Sequence, residues 1–297
     1  MNKEQIASGF KDLQSQICNR LSKIDHTAQF LSDDWKRSEG GGGTTRTIKD
    51  GRFIEKGGVA FSKVHGPVSE AMAKQLKLSG SDFFATGVSI VLHSKSPKHP
   101  IIHMNVRYFE MDSETYWFGG GIDLTPIYID VALAKSFHSK LKELCDRYDL
   151  GMYSEYKKWA DSYFHLPHRD ESRGVGGIFF DHLSKSKLLS KVQVFQFCLD
   201  LGTLFTDLYK DQLVEDNGLI NEGHLQWQLL RRSRYVEFNL LHDRGTKFGI
   251  YSGGRTESIL MSMPPMAKWE YNFIPQPGTS EFETQQMLQS RQNWINL

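Results

Sequence analysis

Two neighbouring segments with alternating polarity constrain the fold of this 297-residue chain more than any other feature. Residues 86–93 and 101–110 each place apolar side chains at every second position, which is the period of a β-strand with one buried face. The loop between them, residues 94–100, is short enough to join antiparallel neighbours. The two segments therefore predict an antiparallel hairpin whose second face has a different chemistry.

That second face collects polar side chains. Its first strand contributes Ser89 and His93, and its second strand contributes His103, Asn105 and Arg107. With a symmetric loop we expect His93 opposite His103, and Ser89 opposite Arg107. Because a guanidinium fork suits carboxylates, the face predicts a carboxylate-binding cleft with a titratable group at its edge. A merely solvated face, which is normal in antiparallel sheets, is the alternative that the pattern leaves open.

The other segments favour helices around a mainly antiparallel sheet. Amphipathic helices are predicted at residues 130–149 and 191–213, a third helix at residues 70–78, and a helical N-terminal segment over about residues 1–37. Further strands are predicted at residues 44–48, 52–56, 58–64, 235–241, 247–252 and 258–263. Strands outnumber βαβ patterns, so we predict an α+β fold with a large, mainly antiparallel sheet flanked by helices on both faces, in one domain over residues 1–297.

Charge and cysteine content exclude several classes of protein. The net charge is only +1, so no overall positive field attracts nucleic acid. No stretch approaches the ~18 apolar residues of a membrane helix, and the first ten residues resemble neither a secretory signal nor an organelle import peptide. The three cysteines are far apart and form no CxxC, which disfavours a disulfide framework or a cysteine zinc site. We therefore expect a cytoplasmic protein with no transmembrane segment and no nucleic-acid partner.

Two glycine-rich segments and a set of histidines are further candidates. Residues 117–123 and 252–255 place bare backbone beside aromatic or charged side chains, which suits close approach to a ligand, although tight turns are the simpler interpretation. Four histidines form a candidate metal-binding set: His93, His103, His138 and His168. They lack the i, i+4 spacing of a metalloprotease helix, and a structural or interface role is favoured for His138 and His168.

Several long runs occur in an order that matches one known family. They are EGGGG at 39–43, GGVAFSKVHG at 57–66, residues 87–107, WFGGGIDLTP at 117–126, and the segments 157–183 and 235–270. Together they resemble oxygen-dependent coproporphyrinogen III oxidase over about residues 17–269. The chain's three cysteines cannot supply the CxxxCxxC iron–sulfur motif of the oxygen-independent enzyme, which favours the oxygen-dependent class.

The resemblance implies oxidative decarboxylation of two propionate groups of coproporphyrinogen III to vinyl groups, giving protoporphyrinogen IX in heme biosynthesis. Molecular oxygen is the implied co-substrate. No organic cofactor is implied, because the macrocycle itself supplies electrons, and the family leaves a divalent metal open. The resemblance also implies a homodimer, with contacts at His168 and in the segment from Tyr235 to Glu270.

The resemblance also assigns roles to individual residues. His103 matches the proton donor, and Asp123 and Asp243 match acidic residues placed around the porphyrinogen, so these three are the candidate catalytic residues. Positions that match substrate contacts are Ser89, Asn105, Val106, Arg107, Arg244, Gly253, Gly254 and Arg255. The four histidines match ligands once proposed in bacterial members. For Asp243, capping of its own turn is the alternative.

Two other functions are consistent with parts of the sequence. One is a hydrolase or oxygenase whose metal is held by the four histidines, which tightly bound stoichiometric metal would support. The other is a porphyrin carrier that has lost its chemistry. The presence of all of His103, Asp123, Asp243 and Arg244 disfavours the carrier.

Overall fold

The computed structural model describes residues 1–68, 73, 81–112, 114–184, 189–214, 219–251, 254–290 and 292–297. Its centre is a seven-stranded antiparallel sheet in which sequential strands pair, and the last strand joins the sixth. The strands are β1 (Leu31–Lys36), β2 (Gly41–Lys49), β3 (Ile54–Pro67), β4 (Asp82–Ser94), β5 (Ile101–Glu110), β6 (Tyr116–Thr125) and β9 (Gly176–Leu183), with a separate short pair of β7 (His165–Leu166) and β8 (Glu171–Ser172).

Helices cover both faces of this sheet. They are α1 (Lys3–Asp25), α2 (Val131–Asp146), α3 (Met152–Tyr163), α4 (Lys191–Asp211), α5 (Glu222–Leu241), α6 (Arg244–Tyr251), α7 (Thr256–Leu260) and α8 (Ser280–Gln289). The apolar rows of β4 and β5 join α1, α2 and α4 in the main hydrophobic core. On the second face, Tyr235 and Phe238 of α5 pack against Val91 and Phe179 of the sheet. The predicted α+β class, with an antiparallel sheet between helices, is confirmed.

The predicted hairpin is confirmed, but its predicted register is wrong. The observed pairs are Val91 with His103, Ser89 with Asn105, and Gly87 with Arg107. The expected pairs, His93 with His103 and Ser89 with Arg107, are out by two residues. A loop of residues 94–100 that is symmetric about its middle residue places position 93 opposite position 101, which is the observed register. The polar residues still share one face, because a shift of two preserves side-chain direction.

The N-terminal helix is shorter than predicted. It starts at an Asn2 capping box and ends at Asp25, where His26 adopts a left-handed conformation, and β1 then occupies part of the segment expected to be helical. Asp25 is buried, and its carboxylate accepts backbone N–H groups from residues 52–54 at 3.0 Å. This contact between distant segments stabilises the end of the helix and could not be inferred from local periodicity.

The three strands predicted between residues 235 and 263 are wrong, because this region is helical. Residues 235–241 form the last part of α5, and residues 247–251 lie in α6. Residues 258–260, the first part of the third predicted strand, lie in α7. In the first of these segments Phe238 is buried but Leu240, two residues further on, is exposed, which a strand with one buried face would not show. The helical period was hidden because the buried stripe of α5 contains ionised side chains, among them Arg231 and Arg232.

Two other helices were predicted correctly. Residues 130–149 contain α2, which is capped by Asp130, and residues 191–213 contain α4. The helix expected at residues 70–78 falls almost entirely outside the described residues. In the part of the chain that is described, no helix combines the length and apolar character needed to cross a bilayer.

Candidate active site

On the second face of the sheet, beside the part that α5 covers, lies a floor of small side chains. Paired residues of strands β2 to β6 form two adjacent rows on this face. One row is Thr45, Ala60, Ser89, Asn105 and Gly121, and the next is Gly43, Ser62, Gly87, Arg107 and Gly119. Eight of these ten residues are Gly, Ala, Ser or Thr. Because they project little above the backbone, the floor can accept a broad, flat ligand.

The glycine-rich run at 117–123 is part of this floor. The tight-turn interpretation was wrong, because the run lies in strand β6, which is paired on both sides with β5 and β9. A Cβ atom on Gly119 would lie 2.4 Å from Asp181 Oδ1 and 2.9 Å from the Arg107 guanidinium. Glycine is therefore needed here to leave room for charged side chains that cross the strand.

An aromatic wall closes one end of the floor. Phe109 stacks on Trp117 with ring centroids 4.3 Å apart, and on Phe83 at 5.9 Å. Strand alternation puts Phe109 on the same face as Arg107, one row further along. The wall supplies an apolar boundary at the end where Arg107 lies.

At the other end, His103 and Asp123 meet. They are directly opposite in β5 and β6, and His103 Nδ1 lies 2.8 Å from Asp123 Oδ1. A carboxylate at Nδ1 favours the imidazole form with its proton on that nitrogen. This contact orients the ring and leaves Nε2 as the nitrogen able to exchange a proton with a ligand.

Asp123 is held in its ionised form by Arg173. Burial by itself would raise the pKa of Asp123, but the Arg173 charge and the His103 hydrogen bond bring that pKa below its usual value. Arg173 donates to both carboxylate oxygens, at 2.6 and 3.0 Å. The side chains of Arg173 and Asp123 are only 1% and 2% exposed, so the pair is permanently enclosed.

Three aromatic rings surround the Arg173 guanidinium. Phe164, Tyr235 and Phe238 have ring centroids 4.4–4.6 Å from its central carbon. The sequence reasoning did not select Arg173. Its only signal was its place in the long run 157–183, since a single Arg before a glycine gives no indication that it reaches a carboxylate 50 residues away.

Arg107 is paired rather than free. Its Nη2 lies 2.8 Å from Asp181 Oδ2, and its Nη1 donates to Asn105 Oδ1 at 2.8 Å. Its side chain is 40% exposed and that of Asp181 is 19% exposed. The predicted residues Ser89, Asn105 and Arg107 therefore do share the floor, with Arg107 reaching toward β9.

Asp243 and Arg244 lie at the start of α6 beside Tyr163. Asp243 Oδ1 accepts the Tyr163 hydroxyl at 2.7 Å, and Oδ2 accepts the Thr246 backbone N–H at 2.6 Å. The second contact is that of a helix N-cap. The Arg244 guanidinium lies 5.1 Å from the Tyr163 ring centroid. These contacts favour the capping interpretation of Asp243, while its predicted catalytic role stays a prediction.

The remaining predicted substrate contacts have mixed outcomes. The Val106 side chain is fully buried in the opposite core, so a substrate contact at this position would be made by its backbone, and that contact stays a prediction. The Gly254 N–H donates to Gly249 O, and Arg255 pairs with Asp33 of β1 at 2.5 Å. Gly253 lies outside the described residues.

The four histidines of the candidate metal set do not share one site. His93 Nε2 lies 2.8 Å from Ser262 O, and both ring nitrogens of His138 are engaged, by the Tyr153 hydroxyl and Val175 O. His168 lies between Glu237 and His242, at 2.8 and 2.9 Å. In the described part of the chain no three His, Cys, Asp or Glu side chains are grouped to hold a metal. The predicted set therefore does not fit a metal ion.

Comparisons with known proteins agree with this geometry. The family model described as coproporphyrinogen III oxidase matches residues 5–294. The human protein named oxygen-dependent coproporphyrinogen-III oxidase, mitochondrial, is 44% identical over 300 aligned positions, covering 96% of this chain and 65% of the human protein. The chain thus spans somewhat less than two thirds of that relative's length. This chain belongs to the coproporphyrinogen III oxidase family.

Proposed function

We propose that this protein is an oxygen-dependent coproporphyrinogen III oxidase. It converts two propionate groups of coproporphyrinogen III to vinyl groups, which yields protoporphyrinogen IX in heme biosynthesis. The observation that supports this best is the flat floor of small residues, with Arg107 near one end and the His103–Asp123–Arg173 cluster at the other. A broad macrocycle bearing carboxylates fits both the shape and the charge of that floor.

The reaction requires an acceptor for two electrons. For each propionate, a C–H bond and the bond to the carboxylate break, CO2 leaves, and a carbon–carbon double bond forms. The two electrons, with two protons, reduce O2 to hydrogen peroxide. The electron-rich pyrrole macrocycle supplies the electrons, so the proposal needs no organic cofactor.

The protein's own residues bind the substrate and move protons. Arg107 binds a propionate through its guanidinium fork, and the half-buried Ser89 and Asn105 contact the macrocycle from the floor. His103 transfers a proton at Nε2, in a ring orientation set by Asp123 and Arg173. The floor and the aromatic wall hold the macrocycle in one position and limit bulk water around it.

One assay tests the activity. Purified protein is incubated with coproporphyrinogen III in air or under anaerobic conditions, and the products are oxidised and identified by porphyrin fluorescence after chromatography. We expect protoporphyrin only in the aerobic sample, and its loss in His103→Ala. Absence of conversion in air, or equal conversion without O2, would contradict the proposal.

We also propose that the protein is a homodimer joined through the segment from Tyr235 to Glu270. Several apolar side chains in this segment are exposed: Leu240, Leu241, Ile250, Leu260, Met266 and Trp269. Burial of such side chains between two subunits would remove apolar surface from water, and symmetric dimers are the commonest oligomers. The Glu237 carboxylate links parts of this segment, because it accepts hydrogen bonds from His168, Arg169 and the Trp269 indole. Sedimentation showing a stable 34.1 kDa monomer at micromolar concentration would contradict this.

For location, we propose the cytoplasm. All three cysteines are free and buried: Cys18, Cys145 and Cys198. Free thiols are usual in a reducing compartment. Fractionation of source cells tests this, and recovery with an organelle would overturn it.

A further inference from the structure

Asp181 occupies the side of Arg107 that a ligand carboxylate would otherwise bind. The guanidinium uses Nη1 for Asn105 Oδ1 and Nη2 for Asp181 Oδ2. Arg107 lies on the floor, in the same row as Gly87 and Gly119. The protein's own Asp181 carboxylate therefore contacts Arg107, the residue that we propose binds a substrate carboxylate.

Local backbone structure places Asp181 there. The pairing of β6 with β9 shifts register between Phe118 and Gly120, and His182 has a positive φ of 52°. Irregularities of this kind redirect side chains near sites. The His182 N–H donates to Asp181 Oδ1 at 3.0 Å, and the missing side chain at Gly119 leaves the path to Arg107 open.

The pair is suited to exchange. It is partly open to solvent on the Arg107 side, where an ion pair contributes little net stability. Asp181 Oδ1 also accepts a hydrogen bond from the His182 backbone N–H, which does not depend on Arg107. Separating the pair therefore costs much less than it would at the enclosed Asp123–Arg173 pair, where both side chains are buried.

We propose that Asp181 is a specificity-determining residue that competes with the substrate carboxylate for Arg107. This rests on the proposed function. The resident carboxylate weakens the binding of every anionic ligand at Arg107, so that only ligands with several carboxylates and a fitting macrocycle are retained. When the carboxylate of a propionate is lost as CO2 and a vinyl group remains, or when the product dissociates, Asp181 again neutralises Arg107.

Coproporphyrin III, the oxidised and unreactive form of the substrate, is the probe. Its dissociation constant is measured by fluorescence for the parent protein, Asp181→Asn, Arg107→Gln and the double variant. The matched control is Asp211→Asn, which removes one negative charge from a remote pair with Lys140 on α2 and α4. Asp181→Ser repeats the charge removal without an amide, in case the Asn variant is unstable.

We expect Asp181→Asn to bind coproporphyrin III about three- to tenfold more tightly, and Asp211→Asn to bind like the parent. In the Arg107→Gln background, Asp181→Asn should have no effect. Weaker binding by both Asp181 variants would show that Asp181 only positions Arg107, and tightening that persists without Arg107 would show a general charge effect. Either outcome, or unchanged binding, overturns the inference. Failure of the parent protein to convert coproporphyrinogen III is a separate result that contradicts the proposed function itself.

Discussion

The floor carries an arginine–aspartate pair at each end, and the two pairs are built differently. Arg173 and Asp123 are enclosed by three aromatic rings and are almost fully buried. Arg107 and Asp181 are joined by a contact of similar length, 2.8 Å against 2.6 Å, but remain partly exposed. Similar geometry therefore serves two purposes, since burial decides whether separating a pair is prohibitive or easy. The buried pair fixes the orientation of the His103 ring, and the partly exposed pair is the one that we propose exchanges partners.

The largest expected effect is on stability at the buried pair. Arg173→Met keeps an apolar chain among the three rings but leaves the Asp123 carboxylate buried without its counter-charge. We expect the free energy of unfolding to fall by about 3–5 kcal/mol, measured by denaturant titration. The matched change Arg107→Met should cost less than about 1 kcal/mol. Equal losses for the two variants would remove the distinction between the pairs.

Arg107→Ala should act on binding rather than on stability. Loss of a charged hydrogen bond to a substrate carboxylate is worth about 1.5–3 kcal/mol, which corresponds to a rise in KM of roughly 10- to 150-fold. Folding should be preserved, as checked by circular dichroism. Steady-state kinetics with coproporphyrinogen III provide the measurement, and an unchanged KM and kcat would exclude Arg107 from the site.

Acid should destabilise the protein through two deeply buried histidines. Burial lowers the pKa of His93, which packs on Tyr235, to about 3, and it lowers the pKa of His138 to about 3 as well. Both rings are neutral when folded and take up protons near pH 6.5 when unfolded. Their contribution is therefore complete above pH 6.5 and is lost as the pH falls toward 3, by about 1.4 kcal/mol per pH unit for each ring.

Denaturant titrations between pH 7 and 4 measure this loss. His138→Gln should reduce the slope of stability against pH, because one of the two deeply buried titrating rings is removed. The control is Asp211→Asn, whose carboxylate belongs to a partly exposed surface pair and which should leave the slope unchanged. A slope unaffected by His138→Gln would show that the acid sensitivity arises elsewhere.

The smallest expected effect is at Asp243. Asparagine caps a helix nearly as well as aspartate, so Asp243→Asn should retain kcat within about threefold if the contacts to Thr246 and Tyr163 are its main role. If the predicted catalytic role holds instead, kcat and kcat/KM should fall together with little change in KM. Kinetics and thermal unfolding of this one variant separate the two interpretations.

Local patterns were sufficient for the elements whose buried side chains are apolar. The β4–β5 hairpin, α2 and α4 followed from periods of two and 3.6 residues, because each buries a stripe of hydrophobic side chains. The shared polar face of the hairpin followed from the same alternation. Its residues Ser89, Asn105 and Arg107 could therefore be selected as a candidate carboxylate cleft from sequence alone.

The sequence-based predictions failed in regions where the buried side chains are polar and pair with residues far away in the sequence. In α5, Arg231 pairs with Glu171, and Arg232 pairs with Glu55. A stripe containing such residues does not look hydrophobic, so the helix was taken for a strand.

The same reason explains why the sequence did not reveal the partners of the charged residues in the candidate site. Asp123 was selected through the family resemblance, but its partner Arg173 was not, because they are joined only when β6 and the segment before β9 meet. Likewise, nothing in the sequence showed that Asp181 neutralises Arg107. Periodicity reports which side of an element is buried, whereas the partner of a buried or half-buried charge is decided by tertiary packing.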